Sequence, residues 1–202
     1  YNEFGTGPTL LIAHGLYGSA RNWGVIAKRL SDTRHVVVVD MRNHGDSPRF
    51  DTHSYPEMAN DLAEVIEHIG APVNVLGHSM GGKASMALAL TRPELVRSLI
   101  SGDIAPVSYA HSQGHFLDAM RAVDLSTVSR RSDASAQLEA QGVSAELQSF
   151  FTQSLDISTK TWKLNFDALA DDMDKILSFP TLTGSYEGPT LFLSGAESDY
   201  VT

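Results

Sequence analysis

Cysteine is absent from the 202 residues. That excludes disulfides, cysteine-based metal sites and a thiol nucleophile, and it leaves the compartment unassigned. No apolar run approaches the ~20 residues that a membrane-spanning helix needs. Positive charge is scarce: 15 Lys and Arg stand against 24 Asp and Glu, a formal net charge of −9. A nucleic-acid backbone or an anionic membrane is therefore disfavoured as a partner. Internal repeats and low-complexity linkers are missing too. What is present, 42% hydrophobic and 19% charged residues, suits a soluble globular chain with one substantial core. The chain opens on Tyr1 and stops at "SGAESDYVT", just after an apolar run. The expectation is an interior piece of a longer protein, cytoplasmic by default, with a mitochondrial matrix location requiring a removed leader. Oligomeric state is not encoded in any of these features.

Five apolar runs bounded by turn residues read as strands: 9–15 "TLLIAHG", 35–40 "HVVVVD", 73–79 "VNVLGHS", 96–104 "VRSLISGDI" and 189–195 "PTLFLSG". They are short and do not alternate, as expected of strands buried on both faces of a parallel sheet. Helical spacing lies between them, at Trp23, Ile26, Ala27 and Leu30, and at Met58, Leu62, Val65, Ile66 and Ile69. The second helix opens on a capping box, Ser54 with Glu57, and closes at Gly70. A third follows Ser79 and is stopped by Pro93. This alternation predicts an α/β chain with a mostly parallel sheet and helices on both faces. From 107 to 180 no strand is evident and helical patterns dominate, including one continuous helix over "NFDALADDMDKILSF" with Phe166, Leu169, Ala170, Met173 and Leu177 on one face. The expected organisation is a core at 1–106, a helical cap at 107–180 over the strand ends, and a returning core strand at 181–202.

The stretch "GHSMGGKAS", 77–85, admits two readings. As GxxxxGK it approaches a phosphate-binding loop, but Ala84 stands where that loop needs a metal-touching hydroxyl, and the turn "AHG" at 13–15 gains no role. Lys83 is then an ordinary helix-surface lysine. As GxSxG it is a turn between strand and helix that presents the Ser79 hydroxyl, with Gly77 and Gly81 too crowded to carry side chains. The N–H of Met80 then points to where a tetrahedral oxyanion would form, and the N–H of Leu16, after "HG", supplies a second donor. Strand before, helix after and HGL upstream favour Ser79 as a nucleophile.

The blocks "AHGLYGSARNW", "VVVVDMRNHGDSP", "VLGHSMGGKASMALAL", "SGDIAPV" and "GPTLFLSGAESDYV" resemble successive segments of the α/β-hydrolase superfamily. Among its members they are most similar to the small serine-esterase branch of YbfF-like and mitochondrial abhydrolase-domain esterases. The cap segments "MRAVDLS" and "LNFDALADDMDKILSFP" match that branch as well. The resemblance implies hydrolysis of small acyl esters or thioesters through an acyl-enzyme, with no cofactor; no metal site is expected from the residues.

A serine nucleophile requires a base, and the base an orienting acid. The usual acid position in this superfamily falls at Ser198, with Asp199 one step later. The other candidate is Asp103. The resemblance favours Asp103, because the branch can place its acid there and keep a serine, Ser198, at the usual site; Asp199 remains the alternative. All eight histidines precede residue 116, whereas the fold's order is Ser, Asp, His. His14 and His44 read as structural turn residues and His78 as packing on the sheet. His111 and His115 read as cap surface or pocket lining. His35, His53 and His68 read as strand-edge, loop and helix-surface positions. The catalytic histidine is expected beyond Thr202. Acyl transfer to an alcohol or peroxide is an alternative on the same residues, and an inactive binding protein is another if no histidine follows.

Overall fold

The computed structural model describes residues 1–110, 113–198 and 200–201. Its centre is a six-stranded sheet ordered β1-β3-β2-β4-β5-β8. Strand β1 (Asn2–Phe4) precedes β2 (Thr9–Ala13). A 3-10 turn at Ala20–Trp23 leads into α1 (Gly24–Leu30), then β3 (His35–Val39). Helix α2 (Tyr55–Ile69), β4 (Val73–His78), α3 (Met80–Thr91) and β5 (Val96–Gly102) follow. Between β5 and the last strand lie α4 (Gly114–Arg121), α5 (Arg131–Ala140), α6 (Ala145–Thr152), β6 (Leu155–Asp156), β7 (Thr161–Trp162), α7 (Phe166–Asp171) and α8 (Met173–Leu177). Strand β8 (Thr190–Leu193) then returns beside β5. All neighbours in the large sheet are parallel except β1, which runs antiparallel to β3.

The expected α/β sheet is present, with specific differences. Strands β2 and β3 are buried on both faces. Alternate residues supply two cores: Leu10, Ile12, Val36 and Val38 pack beneath α1, and Leu11, Ala13 and Val39 beneath α2 and α3. Strands β4 and β5 are buried on one face, and β8 is exposed along its length, with Leu191, Phe192 and Leu193 about half accessible. Burial on both faces thus fails at this side of the sheet. Of the four α1-region positions only Ala27 is buried, and Ile26 faces outward. Helix α2 opens as read: the Glu57 carboxylate accepts from the Ser54 N–H (2.9 Å) and hydroxyl (2.6 Å).

The segment between β5 and β8 is mainly helical but contains the short antiparallel pair β6–β7, which apolar periodicity does not reveal in strands of two residues. The single helix expected over 165–179 is broken at Asp172. The buried Asp172 carboxylate accepts the His53 N–H at 2.6 Å and pairs with Lys175 at 2.7 Å. A side chain that bonds a distant backbone amide competes with continuation of the helix. Among the described residues no helix is long and apolar enough to cross a membrane, and no cluster of ligating side chains could hold a metal ion.

Candidate active site

Chain order reverses direction in the sheet at β2, which has β3 on one side and β4 on the other. The crevice beyond the strand ends at such a point is where open α/β sheets place ligands. Four residues with left-handed φ lie just past strand ends on this side: Tyr17 (φ 64°), Asn43 (φ 64°), Ser79 (φ 52°) and Asp103 (φ 54°). Each is unfavourable for a residue with a side chain, and such strain concentrates at functional positions.

Ser79 occupies the junction of β4 and α3 with ψ −119°. Its N–H donates to Gly102 O (2.9 Å), and its carbonyl accepts the first helical bond from Lys83 N–H (3.1 Å). The turn is tight enough to forbid side chains on both flanks. A Cβ at Gly77 would sit 2.2 Å from Gly81 O, and one at Gly81 would sit 2.3 Å from Ala13 O. The segment 77–85 is therefore the strand–turn–helix of the GxSxG reading. The phosphate-loop reading is excluded further by Lys83, whose ammonium donates to three backbone carbonyls.

The loop after β2 lies against this turn, since a methyl group at Gly15 would be 3.2 Å from Ser79 Cβ. Leu16, Ser79, Met80 and Asp103 line one cavity of about 220 Å³. Among the described residues neither the Leu16 nor the Met80 N–H has a hydrogen-bond acceptor. Two unengaged amides beside a strained serine are what an oxyanion site requires. The opposite wall, from the helical insertion, is apolar and includes Phe116, Leu147, Phe150 and Phe151.

Asp103 follows β5. Its N–H donates to Leu193 O (2.6 Å), and its Oδ1 accepts the Gly195 N–H (3.1 Å). A methyl group at Gly195 would lie 3.4 Å from Ser198 Cβ and 3.8 Å from Asp103 Oδ1. Asp103 and Ser198 thus share one corner of the site. Asp199 lies outside the described residues, as does His111.

Three histidines form a buried row beneath the loop, with ring centroids 5.1 Å apart for His14–His44 and 5.4 Å for His44–His53. His14 accepts the Met41 N–H on Nε2 (3.0 Å) and donates from Nδ1 to Gly15 O (2.8 Å). His44 accepts the Tyr17 N–H on Nε2 (3.1 Å) and donates from Nδ1 to Arg42 O (2.9 Å). His53 sets Nε2 against Met80 Sδ (3.2 Å). The row is therefore bonded to the residues on either side of Leu16 and touches the Met80 side chain. His14 and His44 act as the structural residues that the sequence suggests, and His53 is a fully buried member of the row rather than an ordinary loop residue.

Burial lowers the pKa of these rings to about 4 for His14, about 3 for His44 and about 2 for His53. Each is neutral in the fold and protonates readily only when unfolded. The unfolded chain thus binds more protons below about pH 6.5, so stability is full above that value and falls as pH drops toward 4. The expected loss is about 1.4 kcal/mol per pH unit for each histidine between those limits. Urea unfolding at pH 7 and pH 5 checks this, and a denaturation midpoint independent of pH in that range contradicts it.

One expectation is extended here and another corrected. His78 does more than pack on the sheet: its ring lies beside Gly102 at the end of β5 and also lines the cavity. Its ring stands exposed at the rim of the cavity, 6.2 Å from the Trp23 ring, with its pKa lowered by desolvation and raised in part by Asp103. Lys83 is not a surface lysine: the residue is 1% exposed, and burial pushes its pKa down to about 8. The signal that could have found it is its setting, the one charged residue in a helix, Met80–Thr91, otherwise built of small, apolar and hydroxyl residues.

A strained serine between strand and helix, two amides without an internal acceptor and an aspartate after the next strand are thus gathered at one cavity of an α/β sheet. The chain belongs to the α/β-hydrolase fold family, whose profile matches residues 8–201. It is 40% identical to the mouse (Mus musculus) sn-1-specific diacylglycerol lipase ABHD11 over 205 residues, covering 96% of this chain and 67% of that protein. It is 35% identical to the Escherichia coli esterase YbfF over 208 residues, covering 100% of this chain and 78% of that protein. A solved structure titled as a marine microorganism esterase superposes with a TM-score of 0.92 at 36% identity, covering 100% of this chain and 82% of that one. The chain thus spans about two thirds of the length of the mouse relative.

Proposed function

We propose that this chain carries the nucleophile, oxyanion site and acid of a serine hydrolase that cleaves acyl esters or thioesters through an acyl-enzyme. The observation that carries the reading is the conformation of Ser79, held at φ 52° between two glycines that admit no side chain. Such a turn costs on the order of 1–3 kcal/mol in backbone strain, and its effect is to aim one hydroxyl into a cavity. Relatives named as a diacylglycerol lipase and as esterases support an ester as the bond that is cut.

In this mechanism Ser79 Oγ attacks the acyl carbonyl, and the developing oxyanion takes hydrogen bonds from the Leu16 and Met80 amides. Loss of the alcohol leaves an ester on Ser79, which water then cleaves. Residues 107–180 act as the cap, and their aromatic wall receives the acyl chain. Among the described residues no histidine hydrogen-bonds to Ser79 or Asp103, and the buried row is committed elsewhere. In this reading the base is a histidine outside the buried row, brought to Ser79 in the full-length protein. Asp103, with Ser198 beside it, would orient that histidine.

A fluorophosphonate probe tests the reading in the full-length protein. It reacts with an activated serine and not with an ordinary one. The expected result is one covalent adduct on the peptide that contains Ser79, prevented by prior incubation with a short ester. No adduct at Ser79 would return the chain to the class of non-catalytic binding proteins on this fold.

A further inference from the structure

Lys83 is a buried cation without a carboxylate. No ion pair joins it to any described residue, although burying an ammonium costs several kcal/mol unless its protons are bonded. Its Nζ donates to Val107 O (2.8 Å), Leu177 O (3.0 Å) and Ser178 O (2.7 Å). An ammonium has three donors, so none remains for a substrate anion. The Tyr109 ring lies 4.7 Å from the same nitrogen and adds cation–π attraction.

The three carbonyls come from two stretches far apart in sequence and adjacent in space. Val107 belongs to the chain as it leaves β5 for the helical insertion, and Leu177 and Ser178 to the chain as it returns. These ends also bond to each other, since the Tyr109 N–H donates to Leu177 O (3.0 Å). The neighbouring carbonyl, Ile176 O, accepts the Tyr55 hydroxyl of α2 (2.6 Å). The Lys83 N–H, meanwhile, donates to Ser79 O (3.1 Å). One residue is therefore bonded through its backbone to the nucleophile and through its head to both ends of the insertion. It also lines the cavity with Ser79 and the insertion's aromatic wall.

We propose that Lys83 is a positioning residue that latches both ends of the helical insertion to the nucleophile helix and so sets how much acyl chain the cavity beside Ser79 admits. The latch stands on hydrogen bonds alone; the acyl-chain consequence rests on the hydrolase reading above. Methionine keeps the length of the side chain and removes the donors, so Val107 O and Ser178 O lose theirs while Leu177 O keeps only the Tyr109 N–H. Arginine keeps the charge and several donors.

The test compares wild type, Lys83→Met and Lys83→Arg in the full-length protein. Amide hydrogen exchange over 105–109 and 176–178 is expected to quicken by at least about tenfold in Lys83→Met, as loss of hydrogen bonds to a charged donor implies. Protection of β2 and β4 should remain, and Lys83→Arg should recover most of the loss. In ester assays the ratio of kcat/KM for a hexanoyl over an acetyl ester should fall about tenfold in Lys83→Met, carried by KM. Wild-type protection of both ends in Lys83→Met overturns the proposal. So does faster exchange spread equally over the sheet in both variants, which is the mark of a folding residue. Faster exchange at the ends with an unchanged ester ratio overturns the pocket-setting role. A wild-type protein that turns over neither ester refutes the hydrolase reading instead, and the exchange contrast then decides the latch by itself.

Discussion

Ser79→Ala is expected to lower kcat for ester hydrolysis by about 10⁴- to 10⁶-fold, the range seen when the nucleophile of a serine hydrolase is removed. The loss should fall on kcat with little change in KM, because the hydroxyl is used only once the substrate is bound. Ser79 Oγ donates to no described residue, so its removal breaks no internal bond. Alanine inherits the left-handed conformation without relieving it, and thermodynamic stability should stay within about 1 kcal/mol of wild type. A residual rate above the uncatalysed one is expected, since the Leu16 and Met80 amides and the cavity remain. Steady-state kinetics on a short ester, with urea unfolding as the control for folding, provides the check. Retention of more than about a tenth of wild-type kcat would mean that another group attacks, and the role given to the elbow would be lost.

Much of this arrangement is legible in the sequence because the constraints are local. Gly77 and Gly81 are required by atoms four residues apart or in the adjoining strand, so GxSxG carries its own geometry. The HGL turn is legible for the same reason, since it closes the strand next to β4. Asp103 is less so. Its position after β5 can be read, but its contact with Gly195 joins residues 92 apart, and only the folded sheet brings Ser198 to the same corner. The histidine row is illegible: nothing at His44 or His53 announces that their rings would be buried side by side with His14.

Lys83 and β8 fail for opposite reasons. A lysine in GxxxxGK attracts attention to phosphate or, failing that, is dismissed to the surface, because charged residues are seldom buried without a counterion. Its partners are carbonyls, which every sequence contains and none advertises. Strand β8 reads as buried because Leu191, Phe192 and Leu193 are apolar. Hydrophobicity records what a residue tends to pack against in a folded protein, and for the outer side of β8 no such partner is found among the described residues.

The choice of acid can be tested by separating charge from geometry. Asp103→Asn is expected to lower kcat by about 10⁴-fold, the scale of losing an acid that fixes the tautomer of a catalytic histidine. The amide oxygen of asparagine can still accept the Gly195 N–H that Oδ1 now accepts at 3.1 Å, so the corner formed by β5 and the loop after β8 should keep its shape. What is lost is the negative charge that stabilises an imidazolium during attack. The field of that charge already reaches the elbow, where it raises the pKa of the His78 ring against the lowering by desolvation. Ser198→Ala should cost at most about tenfold, the worth of one neutral hydrogen bond. Asp199→Asn should also stay within about tenfold if Asp103 is the orienting group. The three variants, measured for kcat on one ester across pH 6 to 9, separate the roles. A loss of about 10⁴-fold in Asp199→Asn with near wild-type turnover in Asp103→Asn would move the acid to the loop after β8. The left-handed backbone of Asp103 argues against that result: a residue held at φ 54° just after the strand beside the nucleophile strand is strained for a purpose that a solvated turn would not require.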